Sequence, residues 1–162
     1  MPDREAPLVE TDISLQQVRR LALGARGASV REPRLGVGSF LTFELVRGGD
    51  GSGSRPWYFW LYQCAWRIDA AAQVVGGSED ERDELGRAVH RLEGARLEQI
   101  DIAASQEASL VFADGLSLRM FPVYSRGYIN WMLWLPDGDV ISAGPGRRWT
   151  RESGRSIGSG PG

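Results

Sequence analysis

The chain contains no lysine; all 19 of its cationic residues are arginine. It has one histidine (His90), one cysteine (Cys64) and one asparagine (Asn130). These absences exclude a lysine Schiff base, a P-loop lysine, a multi-histidine metal site and an internal disulfide. The lone thiol fits a reducing compartment, so a cytoplasmic location is expected. Lysine and asparagine both have AT-rich codons, and their scarcity fits a high-GC bacterial genome. No apolar run reaches the roughly 18 residues that a membrane helix needs. The charged start lacks the apolar stretch of a signal peptide. A net charge of −2 lacks the basic surplus of a non-specific nucleic-acid binder. No cofactor and no metal ion are expected.

What is present is tryptophan, six residues in a chain that reads mainly as strands. The length of 162 residues suits one domain. A chain of that size buries roughly 70% of its unfolded surface and needs no staple. Residues 1–10 read as a flexible arm, with Pro2 and Pro7 breaking any helix. A helix follows, capped by Asp12 or Ser14, with Leu15, Val18 and Leu21 at helical spacing and Gly24 and Gly27 as stops. Residues 28–33 read as a connector. Residues 37–46 predict a strand with Val37, Leu41, Phe43 and Leu45 on one face, and residues 47–56 a glycine-rich loop. Residues 57–68 (WYFWLYQCAWRI) predict one long central strand with Tyr58, Trp60, Tyr62, Cys64, Trp66 and Ile68 on its buried face.

Ser78 to Glu81 reads as a capping box opening a second helix to about Leu92, with a narrow stripe of Leu85, Ala88, Val89 and Leu92. Residues 97–102 predict a strand. Two Asp-Gly turns, Asp114-Gly115 and Asp137-Gly138, predict hairpins. As two-residue turns they would oppose Val111 to Leu118 and Trp134 to Ile141. The Gly/Ser-rich end, residues 150–162, reads as a disordered tail. The expected fold is therefore one domain over residues 11–149, of the α+β class. Its mostly antiparallel, curved sheet would have about seven or eight strands with two helices packed on it.

Few residues carry chemistry. Gly154-Arg-Ser-Ile-Gly158 matches a nucleophile pattern, but neither the strand before it nor the helix after it is expected. His90 falls off the apolar stripe among arginines and reads as a solvated surface residue. Cys64 reads as an inert core thiol. The acidic run Glu79 to Glu84 suits the positive end of a helix dipole. Glu44, Asp69, Glu98 and Asp101 lie on different segments, so no acid/base pair is evident. No catalytic residue is assigned. Trp57 and Phe59, beside the glycine-rich loop, are candidate recognition anchors, as are Arg147, Arg148 and Trp149 at the end of the folded part. An alternative is an aromatic pocket lined by Tyr58, Trp60, Tyr62 and Trp66.

Residues 131–149 (WMLWLPDGDVISAGPGRRW) combine a tryptophan strand, a Pro-Asp-Gly turn, a short strand and a Gly-Pro-Gly-x-x-Trp closure. This stretch resembles small actinobacterial domains of unknown function, some of them immunity-protein-like. The resemblance implies a compact non-catalytic domain and carries over no binding residue. The leading expectation is a non-enzymatic protein-binding module, of the immunity type if it neutralises a partner toxin. The rival is a small-molecule binder or enzyme using the aromatic pocket.

Overall fold

The computed structural model describes residues 11–48 and 55–154. The elements in chain order are β1 (Thr11–Asp12), α1 (Leu15–Leu23), β2 (Ser29–Leu35), β3 (Leu41–Val46), β4 (Trp57–Leu61), β5 (Cys64–Ala70) and β6 (Gln73–Gly77). These are followed by α2 (Arg82–His90), β7 (Leu97–Ile102), β8 (Ala108–Phe112), β9 (Leu116–Pro122), β10 (Trp131–Trp134), β11 (Asp139–Ala143) and β12 (Trp149–Ser153). Two antiparallel sheets result, one of seven strands in the order β1-β12-β11-β10-β4-β3-β2 and one of five in the order β6-β5-β9-β8-β7.

This corrects the expected α+β class. The fold is mostly β, with 47% strand and 14% helix, and has two sheets in place of one curved sheet. The inner faces of both sheets feed one apolar core that includes Phe43, Phe59 and Trp131 from the larger sheet and Trp66, Leu110 and Leu118 from the smaller.

The reason lies in residues 57–68, which are not one strand. The chain leaves the larger sheet at Leu61 and enters the smaller one at Cys64. Burial parity flips at that point: Phe59 and Leu61 are buried before it, and Cys64, Trp66 and Ile68 after it. Tyr62 and Gln63 form the bend, and both of their amides donate to the Asn130 carbonyl, at 3.1 and 3.0 Å. The even-numbered face of β4, expected inside, is therefore outside.

The helices guard edges. α1 contacts β7, and α2 contacts β2 and β6, so together they touch three of the four edge strands. Ser14 opens α1 with a capping box: its Oγ accepts from the Gln17 amide at 3.1 Å, and its own amide donates to Gln17 Oε1 at 2.8 Å. The box expected at Ser78 is absent. Ser78 Oγ instead accepts from the Trp66 amide, and Glu81 precedes α2 without a side-chain cap. The Leu85, Ala88, Val89 and Leu92 stripe is buried as expected. Gly76 admits the helix, since a Cβ there would lie 2.6 Å from Ala88 Cβ.

Other boundaries also move. Residues 29–35 form edge strand β2, with a bulge at Glu32 (φ 52°), where a connector was expected. Val37 lies in a turn and is 96% exposed. β12 pairs with β11 as far as Ser153, so residues 150–153 belong to the sheet. The expected arm (1–10), the tail beyond 154 and most of the glycine-rich loop (49–54) lie outside the described residues.

Both Asp-Gly hairpins form one residue out of the expected register. Leu110 opposes Leu118, and Trp134 opposes Val140. Each turn holds three residues ending in a glycine of positive φ, Gly115 at 83° and Gly138 at 92°. Their amides donate to Phe112 O and Leu135 O. This is a type I turn closed by a left-handed residue. It wins because it sets Leu110, Leu118 and Met120 facing the core, where a two-residue turn would split them between faces.

Candidate functional site

The outer face of the larger sheet carries an aromatic strip. Register places Thr42, Trp60, Met132 and Ser142 in one row across β3, β4, β10 and β11, and Glu44, Tyr58, Trp134 and Val140 in the next. Trp60 and Trp134 meet with ring centroids 4.5 Å apart. Tyr58 joins both, at 6.2 and 6.3 Å. Phe40 meets Trp60 edge-on at 5.5 Å and Tyr62 at 5.3 Å. The strip thus runs from the β10–β11 hairpin to the bend where the chain changes sheets. Trp60 Nε1 and Ser142 Oγ on this face are buried without a hydrogen-bond partner.

At the bend the strip meets the segment joining β9 to β10. Cys64 pairs with Pro122, and the Tyr62 and Gln63 amides donate to the Asn130 carbonyl, so both ends of this segment meet the bend. Tyr62 is 53% exposed, Val123 60%, Tyr124 45% and Tyr128 47%. The Tyr124 and Tyr128 rings lie 4.5 Å apart. The intervening Gly127 takes φ 91°, a left-handed geometry that favours glycine. Exposed Arg126 is carried in the same loop and makes no ion pair among the described residues.

A buried polar hub fixes this end. Asn130 and Gln106 are each 1% exposed. Asn130 Nδ2 donates to Gln106 Oε1 at 3.0 Å, Gln106 Nε2 to the Arg148 carbonyl at 2.8 Å, and Trp131 Nε1 to the Gln106 carbonyl at 2.8 Å. Gln106 sits in the β7–β8 turn, so these three bonds tie the smaller sheet to the larger. The Asn130 carbonyl holds the Tyr62–Gln63 bend. The bend carrying Tyr62 is therefore tied by its backbone to a buried hydrogen-bonded hub.

Five residues were expected to anchor a partner, and the structure does not gather them. Phe59 is fully buried, and Trp149 is a core residue in edge contact with Trp131. Trp57 is half-buried under Arg47, whose guanidinium lies 5.6 Å over the ring and donates to the Gly24 and Arg26 carbonyls at the end of α1. Arg148 pairs with Asp12 at 2.8 Å. Arg147 is exposed. The four expected pocket residues also divide. Tyr58, Trp60 and Tyr62 line the outer strip, whereas Trp66 lies in the core and donates through Nε1 to the Ser39 carbonyl at 2.7 Å. They form no common pocket.

The remaining chemical candidates are spread out. His90 is exposed at the end of α2. Glu44, Asp69 and Glu98 each face an arginine neighbour, Arg31, Arg67 and Arg96, and Asp101 accepts from Gln99. Ser156 of the nucleophile pattern lies outside the described residues. Among the described residues no group of three His, Cys, Asp or Glu side chains could hold a metal ion. No described helix is long and apolar enough to cross a membrane.

Burial pushes the Cys64 thiol up to about 12. It should resist a thiol reagent at pH 8 in the native protein and react at once after unfolding; rapid native labelling would contradict its burial. The thiol stays protonated in the fold while the unfolded chain ionises near 9. Its contribution to stability is therefore whole below pH 9 and is lost as the pH rises from there towards about 12.

Sequence reasoning missed Tyr124, Arg126, Tyr128, Phe40 and Trp134 as surface residues. A signal was present in Tyr124-Ser-Arg-Gly-Tyr128, a loop made of the residue types that recognition loops favour. Comparisons with family models, with curated proteins and with solved structures found no match.

Proposed function

We propose that this protein is a non-enzymatic protein-binding module whose contact surface is the tyrosine-rich end of the larger sheet. The observation that carries this reading is the exposure of Tyr62 at the sheet-crossing bend and of Val123, Tyr124 and Tyr128 in the β9–β10 segment that is hydrogen-bonded to that bend through Asn130. Tyrosine offers a broad rigid ring and a hydroxyl at small entropic cost, which is why it dominates recognition surfaces. The partner that suits this end is another protein presenting carboxylates toward Arg126 beside an apolar contact for the rings. Inhibition of a partner toxin is the narrower form of this proposal, and the resemblance of residues 131–149 to immunity-like domains supports it. A cytoplasmic location rests on the single buried cysteine.

The test compares capture from cells of the source by the wild type, by Arg147→Ala and by the triple variant Tyr62→Ala/Tyr124→Ala/Tyr128→Ala. One protein should be held by the first two and reduced at least ~100-fold by the third, since anchors of this type contribute about 1–2 kcal/mol or more each. A captured protein held equally by the triple variant, or none at all, would overturn the proposal. In the immunity form, the captured protein should be toxic alone and harmless when co-expressed with the wild type.

A further inference from the structure

A second candidate site lies on the smaller sheet. Where α1 meets β7, β8 and β9 there is a cleft of about 620 Å3. Small-molecule sites generally span about 300–1,000 Å3. Its apolar surface comes from Ala22 and Leu23 of α1, Ile100 and Ile102 of β7, and Phe121 of β9. Its lining includes two arginines, Arg19 of α1 and Arg119 of β9.

Neither of the two arginines has an ion-pair partner among the described residues, in contrast to six others. Arg31, Arg34, Arg67, Arg96, Arg148 and Arg151 each pair with a carboxylate. Arg119 has no hydrogen bond or ion pair among the described residues, and it stands directly opposite Arg67 in the β5–β9 ladder. Like charges at directly opposed positions raise the local demand for an anion. The row across the sheet continues from Arg119 to Ser109 and then to Asp101. Asp101 is thus two strands away, roughly 10 Å between backbones at ordinary strand spacing, and makes no ion pair with Arg119. Arg19 is oriented in advance, since its Nε donates to the Ile102 carbonyl at 2.8 Å, so the end of β7 fixes its guanidinium. Carboxylates match the planar fork of arginine.

We infer that this cleft binds a small organic carboxylate with an apolar body. Its acid group would lie between Arg19 and Arg119 with the Ser109 hydroxyl beside them, and its hydrocarbon part against Phe121 and Leu23. Glu107 and Asp101 also line the cleft and disfavour multiply charged anions. The inference is independent of the protein-binding proposal and shares no residue with it.

The experiment is an amide-resolved NMR titration of the full chain with 3-phenylpropionate, with 3-phenylpropionamide as the neutral control. The acid should give saturable shifts centred on Ile102, Ser109, Arg119 and Phe121, with a Kd on the order of 1 mM, as suits a small fragment. The amide and the Arg119→Gln variant should each bind at least ~10-fold more weakly. Arg119 is exposed, so the variant should fold, and its own spectrum reports whether it does. Arg19→Gln is a second variant with the same expected loss. A short peptide ending in phenylalanine separates the two sources of such a group. If it binds more tightly than the free acid, the site favours a chain terminus; if more weakly, a free metabolite. Absence of saturation, equal binding of acid and amide, or unchanged binding in both arginine variants would overturn the inference.

Discussion

Replacing Trp131 by alanine should destabilise the protein by about 3–5 kcal/mol, the largest effect expected of any single substitution considered. The indole is fully buried, packs against Phe59 and Trp149 with centroids 6.0 and 5.5 Å away, and donates to the Gln106 carbonyl. Truncation leaves a cavity between core aromatics and orphans a buried acceptor. Domains of this kind have about 5–15 kcal/mol in total, so the variant should lose much of its resistance to urea. Trp131→Phe keeps most of the apolar volume and should cost less than half as much. A urea midpoint for Trp131→Ala within about 1 kcal/mol of wild type would show that Trp131 is not the packing centre described above.

The second large effect is expected at Gln106. Its side chain makes two hydrogen bonds to partners that have little access to water, Asn130 Nδ2 and the Arg148 carbonyl. Gln106→Ala removes both and leaves those groups unsatisfied, at about 1–3 kcal/mol each. The expected net loss is about 2–4 kcal/mol, a fall in Tm on the order of 10 °C for a chain of this size. Gln106 also has φ 71°. Gln106→Gly loses the same bonds but relieves the left-handed backbone, so it should be the more stable of the two by about 0.5–1 kcal/mol. Alanine and glycine variants of wild-type stability in thermal unfolding would refute the hub.

The contrast between these two sites shows what was legible in the sequence. Apolar spacing placed both helices and most strands, because burial of Leu85, Val89, Leu110 or Leu118 follows directly from periodicity. The sheet change at Tyr62–Gln63 was not legible. It depends on the carbonyl of Asn130, a residue far away in sequence, and on a parity flip that an unbroken aromatic run conceals. The hairpin registers were missed for a local reason: an Asp-Gly pair fits a two-residue turn and the end of a three-residue turn equally well. Edge strand β2 was missed because Arg31, Glu32 and Pro33 read as a connector, although such residues are typical protection for an exposed edge. Phe59 and Trp149 proved to be core, and the surface tyrosines of residues 124–128 were passed over because a short loop between strands has no periodicity to read.

The pairing of Cys64 with Pro122 has a consequence for how the chain assembles. The whole smaller sheet, with α2, lies between these two neighbouring positions, and β4 and β10 lie just outside them as paired strands at the centre of the larger sheet. Bringing β4 and β10 together from an open coil carries the loop-closure cost of everything between them. Once the smaller sheet has formed, that separation collapses to the bend at Tyr62–Gln63 on one side and the segment 123–130 on the other, and the pairing becomes effectively local. The smaller sheet thus serves as a tether that converts the central long-range strand contact of its neighbour into a short-range one.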